Sequence, residues 1–130
     1  MAGSFSDYLE DALLKHVFTN TGYTSPSSLY VALYTTAPSD AGGGTELAGS
    51  GYARKAVSFT VSGTSTLATN SAAVEFDAAT GSWGTIVAVG IFDASTSGNL
   101  LAWSELATSK AIATGDILRI PSGELDITLS

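Results

Sequence analysis

Hydrophobic positions recur along this chain with two different periods. Near the N-terminus Phe5, Leu9, Leu13 and Val17 repeat every four residues, with Tyr8 and Ala12 alongside. That spacing puts them on one stripe of a helix, predicted over Ser4 to Asn20. Ser6 suits the N-cap, Asp7, Glu10 and Asp11 come early, and Lys15 and His16 fall in the last turn, the order a helix dipole favours. Gly22 and Pro26 end the segment. From Leu29 onward the period is two. Leu29, Val31 and Leu33 share one face of a strand, with Tyr30, Ala32 and Tyr34 on the other. Tyr52 to Val61 reads as a second strand with Val57, Phe59 and Val61 on one face, and Ala72, Val74 and Phe76 alternate with polar Glu75 and Asp77.

The chain is organised around Ser82 to Glu105. Ile86 to Phe92 is apolar at every position, the pattern of a strand buried on both faces. Asp93 to Asn99 is turn chemistry, and Leu100 to Trp103 returns as a second strand, so the segment is predicted to be a hairpin. Trp83 and Trp103, the only tryptophans, sit near its ends and are expected in the core. Beyond them, Lys110 to Ala113 and Ile117 to Ile120 read as short strands joined through Thr114, Gly115 and Asp116. Pro121, Ser122 and Gly123 form a tight turn, and Leu125, Ile127 and Leu129 alternate in a last strand. Further turns are expected at Ser62 to Thr66 and at Asp77 to Gly81, and Ala37 to Gly51 reads as a long glycine-rich loop.

About eight short strands after one helix predict a mainly β fold, an antiparallel β-sandwich or barrel with one N-terminal α-helix. The whole of residues 1–130 is expected to form a single domain, with 1–22 the helical part and 28–130 the β-sandwich.

Composition narrows what such a domain can do. A net charge of −7 with five basic residues argues against nucleic acid as a partner. No apolar run approaches the roughly 18 residues of a membrane span, and the N-terminus has no secretory pattern. Without cysteine there is no disulfide and no thiolate metal site. His16 stands alone, so nucleophile–base pairs and histidine zinc sites lack their parts. Gly42, Gly43 and Gly44 lack the lysine of a phosphate loop. Asp93, Ser95, Ser97 and Gly98 resemble the opening of a calcium loop, but Ser104 stands where such loops place a bidentate glutamate, so the segment reads as a turn. Arg54 and Lys55 suit either an anionic partner or protection of an edge strand. No catalytic residue, metal site or cofactor is predicted.

Several stretches together carry a resemblance. Phe5 to Asn20, Tyr23 to Thr35, Gly51 to Phe59 and Asn70 to Phe76 are similar to a family of small tailed-phage virion proteins usually labelled tail fibre proteins. Ser82 to Thr85, Gly90 to Ala94, Gly98 to Leu101 and Gly115 to Leu129 extend the similarity over nearly the whole chain. The resemblance implies a non-enzymatic structural protein located in the virion, and in the host cytoplasm during assembly. It implies attachment to other virion proteins of tail or capsid, and brings no catalytic residues. Capsid decoration, as a cement protein on the major capsid protein, is the alternative within that class. A glycan-binding module with a host-surface glycan as partner is a second. A homo-oligomer is expected, with Phe5, Leu9, Leu13, Val17, Arg54 and Lys55 as assembly contacts.

Overall fold

The structure is a computed structural model that describes residues 3–61 and 66–128. In chain order the elements are β1 (Gly3–Phe5), α1 (Asp7–Phe18), β2 (Leu29–Thr36), β3 (Thr45–Glu46), β4 (Lys55–Val57), β5 (Phe59–Val61) and β6 (Leu67–Asn70). They continue with β7 (Val74–Glu75), β8 (Gly84–Phe92), β9 (Leu100–Ile112), β10 (Arg119–Ile120) and β11 (Asp126–Thr128). The fold is mainly β with antiparallel sheets and one helix near the N-terminus, as the alternating pattern predicts.

A central sheet runs β1-β9-β8-β2-β3, and β4 also pairs with β2. At its middle is the predicted hairpin. Ile86, Ala88, Val89, Ile91 and Phe92 of β8 are all buried, as a strand covered on both faces must be. The ladder with β9 slips between Ile86 and Ala88, where Lys110 and Glu105 are their partners, so Leu106 to Ser109 form a bulge in β9. The bulge reverses the alternation, and Val87 and Ala88 both lie on the face opposite Ile86 and Val89.

One face of this sheet, carrying Val31, Leu33, Ile86, Val89 and Ile91, packs on a second layer made of β10–β7 and β11–β6–β5. Phe76, Trp83, Leu118 and Leu125 fill the space between them. Tyr52, Phe76 and Trp83 form an aromatic cage: Tyr52 stacks on Phe76 at 6.2 Å, and Trp83 meets both edge-on at 5.9 and 6.4 Å. The Trp83 indole donates to the Ser50 carbonyl at 2.8 Å, so its buried polar atom is satisfied. Asn70, 1% exposed, ties the second layer together. Its amide nitrogen donates to the Ala72 and Pro121 carbonyls, and its amide oxygen accepts from the Leu125 amide.

The other face carries Ala32, Tyr34, Ala88 and Phe92, with Leu100 and Val87 beside them. Gly90 belongs here for a steric reason: a Cβ would come within 2.9 Å of both the Tyr34 and Leu100 side chains. Trp103, paired across the ladder with Gly90, projects to this same face. It is half-buried, so the sequence expectation of two core tryptophans holds for Trp83 and is corrected for Trp103.

Other expectations change in detail. The helix begins at Asp7, with Ser6 its N-cap, whereas residues 3–5 form β1 against Ala102 to Ser104. Phe5 therefore leaves the helical stripe, because pairing with β9 outweighs its local propensity. The predicted Tyr52 to Val61 strand is two: β4 joins the central sheet and β5 the second layer, with Ser58 between. Lys110 to Ile112 continue β9 instead of starting a new strand. Residues 37–51 hold β3 and a Ser39–Gly42 bridge. Residues 62–65 of one predicted turn, and Leu129, lie outside the described residues.

Candidate functional site: an acidic cleft at the start of the helix

The helix start is fastened at three points. Ser6 donates its amide to the Leu101 carbonyl and its hydroxyl to the Leu100 carbonyl, and its hydroxyl accepts from the Leu9 amide. The Asp7 amide donates to the Asp40 carbonyl at 2.8 Å, which brings the glycine-rich loop up to the helix. Asp40 in turn accepts from the Trp103 indole at 2.9 Å. One turn of helix, one loop and the central sheet thus meet around a cleft of about 330 Å³. Tyr34, Phe92 and Leu100 line it from the sheet, Asp7 and Tyr8 from α1, and Asp40 to Gly43 from the loop. Gly98 and Asn99 of the hairpin close the remaining side.

A clamp behind the cleft fixes its far wall. Arg54 donates Nε and Nη2 to the two Glu46 carboxylate oxygens at 2.9 and 2.7 Å, a bidentate pair. Its Nη1 donates to the Ala94 and Ser97 carbonyls, and its guanidinium lies 3.7 Å from the Phe92 ring centre. Tyr52 donates to the same Glu46 carboxylate at 2.6 Å and accepts from the Leu33 amide. Burial alone raises the Glu46 pKa, but the hydrogen bonds from Arg54 and Tyr52 outweigh it and hold the carboxyl below its ordinary value. Those bonds also raise the pKa of Arg54, and burial followed by the Glu46 bond raises that of Tyr52. The hairpin closes on itself as well: both Asp93 oxygens accept from Asn99, and Gly98 turns at φ +74° with no room for a Cβ beside Asp93.

The cleft is acidic. Asp7, Glu10 and Asp40 can bring carboxylate oxygens within 4.8 Å of one another, a separation one cation can bridge. The first turn of α1 also favours Asp7 and Glu10 through the helix dipole. Tyr34 is 3% exposed and lines the cleft from the sheet. Burial, then the nearby Glu46 charge, pushes its pKa up to about 12, so it stays a neutral hydroxyl.

The six residues read as assembly contacts are not brought together. Arg54, with a side chain 8% exposed, is spent inside the clamp, which corrects the expectation that it faces a partner. Lys55 pairs with Asp77 at 3.0 Å. Phe5 lies in β1, Leu9 and Leu13 are half-buried, and Val17 is 65% exposed. His16 is exposed, its Nδ1 3.3 Å from the Thr21 carbonyl oxygen. Sequence reasoning missed Asp40, Glu46 and Tyr34. Their partners are far along the chain, so no local spacing announces them. No helix among the described residues is long and apolar enough to cross a membrane.

Fold and cleft together define a small all-β module with one helix and a recessed acidic surface. Residues 4–128 match the family described as podophage GP4 fiber I protein gp80, and the chain belongs to that family of bacteriophage fibre-type virion proteins. A comparison with curated proteins finds no match.

Proposed function

We infer that the chain is a non-enzymatic building block of a bacteriophage fibre, joined to further copies of itself and to other virion proteins. The observation that carries this reading is the surface of α1. None of its twelve residues is buried, and Leu14, Val17 and Phe18 are 59%, 65% and 78% exposed. Three large apolar side chains on the last turns of one helix form a patch that calls for a partner. Full burial of each would contribute about 1.5–3 kcal/mol. A fibre repeats its subunits, so the partner in reach is a second copy of this chain. Val17 is the one residue shared between this patch and the contacts read from the sequence. The loop of residues 37–51 lies beside the start of the same helix and extends the contact surface.

The test is sedimentation velocity of the full chain carrying Val17→Ser and Phe18→Ser, together with its incorporation into particles. Both side chains are mostly in water, so circular dichroism is expected to remain that of the wild type while association falls. Unchanged association and incorporation would contradict the reading. A label on this chain that decorates the head instead of the fibre would move it to capsid decoration.

A further inference from the structure

We propose that the N-terminal arm, β1 with α1, is exchanged between neighbouring copies, each arm adding its strand to the β9 edge of another copy. This rests on the self-association inferred above and names the surface that the partner occupies. Residues 3–18 are held by bonds to a site that any second copy also presents. β1 pairs with Ala102 to Ser104, and Ser6 donates its amide to the Leu101 carbonyl and its hydroxyl to the Leu100 carbonyl. The Asp7 amide donates to the Asp40 carbonyl. These acceptors are backbone groups, so the body receives the arm as an added edge strand followed by a helix start. None of the twelve residues of α1 is buried, so no interlocked core ties the arm to its own body. A swap of such a terminal element repeats its bonds between two chains, which makes it a low-cost route to assembly.

The connection to the body permits the exchange. Residues 19–28 form neither helix nor strand, and all of them except Tyr23 and Pro26 are exposed. Ten extended residues reach at most about 35 Å, enough to cross to an adjacent molecule. The helix also stops at a joint. The Thr19 amide and hydroxyl both donate to the Lys15 carbonyl, and Asn20 follows in the left-handed region at φ 56°. Asparagine tolerates that region and extended backbone alike, so the joint can open without disturbing the helix. The exposed patch supplies the net gain. Leu14, Val17 and Phe18 lie beside this joint, where two bodies approach one another in a swap. Their burial there is added to bonds that the arm keeps in either arrangement. The cleft then becomes a site of two chains. Asp7 and Tyr8 come from one copy, and Tyr34, Asp40, Phe92 and Leu100 from the other.

The experiment uses introduced cysteines, because the chain has none of its own. Phe5 stands opposite Ala102 in the β1–β9 ladder, and such pairs lie close to disulfide distance. Full-length Phe5→Cys and Ala102→Cys copies are mixed in urea, refolded together at high concentration and oxidised. On a non-reducing gel, exchange should put roughly half of the chains in covalent pairs of one variant with the other, the random share of arms among bodies. The double variant should give covalent pairs or ladders instead of internally bonded monomers. A second combination keeps Phe5 in place in case its loss loosens β1. Asp7 and Asp40 bring carboxylate oxygens within 4.8 Å, so Asp7→Cys and Asp40→Cys copies are joined by a short bifunctional thiol reagent. Mixed covalent pairs are expected there too. If both mixtures associate in sedimentation velocity yet neither yields a mixed covalent pair, the arms stay on their own bodies and the proposal is overturned. In that event, loss of association in Val17→Ser with Phe18→Ser leaves the self-association standing. A wild-type chain that remains monomeric at every concentration would overturn both.

Discussion

Trp83 and Trp103 flank the same central hairpin but serve opposite faces of its sheet. Trp83 is 3% exposed, and its indole donates to a backbone carbonyl inside a cage of Tyr52 and Phe76. Trp103 is half-buried and donates to Asp40, a carboxylate on the wall of an open cleft. One face of the sheet closes over a second β-layer. The other is covered by a short helix and a glycine-rich loop, which leave a cleft open between them. The difference teaches where to look for function in a domain without catalytic parts. A packed face tells how the chain folds, and an open face tells where it can meet a partner.

Mutations should separate the two faces, beginning with the largest effect. Trp83→Ala empties the aromatic cage and is expected to cost about 3–5 kcal/mol in chemical denaturation, with association unchanged in whatever fraction stays folded. Arg54→Ala removes one partner of a mostly buried pair and leaves Glu46 without its cation, an expected loss of roughly 3 kcal/mol. A stability change below 1 kcal/mol on the order of an exposed pair would mean the clamp is a surface feature. Trp103→Phe keeps a ring but loses the bond to Asp40. It should cost about 1.5 kcal/mol and also weaken association, because the Asp40 carboxylate on the cleft wall loses that bond. If it lowered stability as much as Trp83→Ala, the contrast between the faces would fail.

Acidification tests the clamp more gently. A carboxyl whose folded-state pKa is depressed stabilises the fold above its unfolded-state value and loses that contribution as pH falls through the folded value. Glu46 is depressed from an ordinary value of 4.5, so stability should be level above that pH and decline below it. Asp93 acts in the same direction: burial raises its pKa, but the backbone and side-chain bonds from Asn99 outweigh burial. Glu46→Gln should flatten part of the decline in a pH series of urea denaturations. The smallest effect on stability belongs to Val17→Ser with Phe18→Ser, within about 0.5 kcal/mol each, since both side chains already face water.

Much of the fold was legible because local signals agreed with the final packing. The unbroken apolar run of β8, the alternation of β2 and the Ser6 cap each state a requirement that burial or backbone bonding then meets. What was illegible depends on distance along the chain. Phe5 fits a helical stripe by spacing, and only its pairing with Ala102 puts it in β1. The division of Tyr52 to Val61 at Ser58 follows from two different neighbours, β2 and β6, which no alternation can reveal. Arg54 looks like a surface cation because its partners, Glu46, Ala94 and Ser97, come from β3 and the distant hairpin turn. The cleft is hardest to foresee. It exists only where a helix start, a loop and a hairpin end converge.

The account centres on the claim that the helix-and-cleft face is the working surface. Hydrogen exchange of the full chain, compared between dilute and concentrated solution, tests it most directly. Added protection on association is expected in α1 and in the loop at Asp40 to Gly43, with none in β5, β6 or β11. Protection that appears in that second layer, or fails to appear in α1 and the loop while the protein associates, would contradict it.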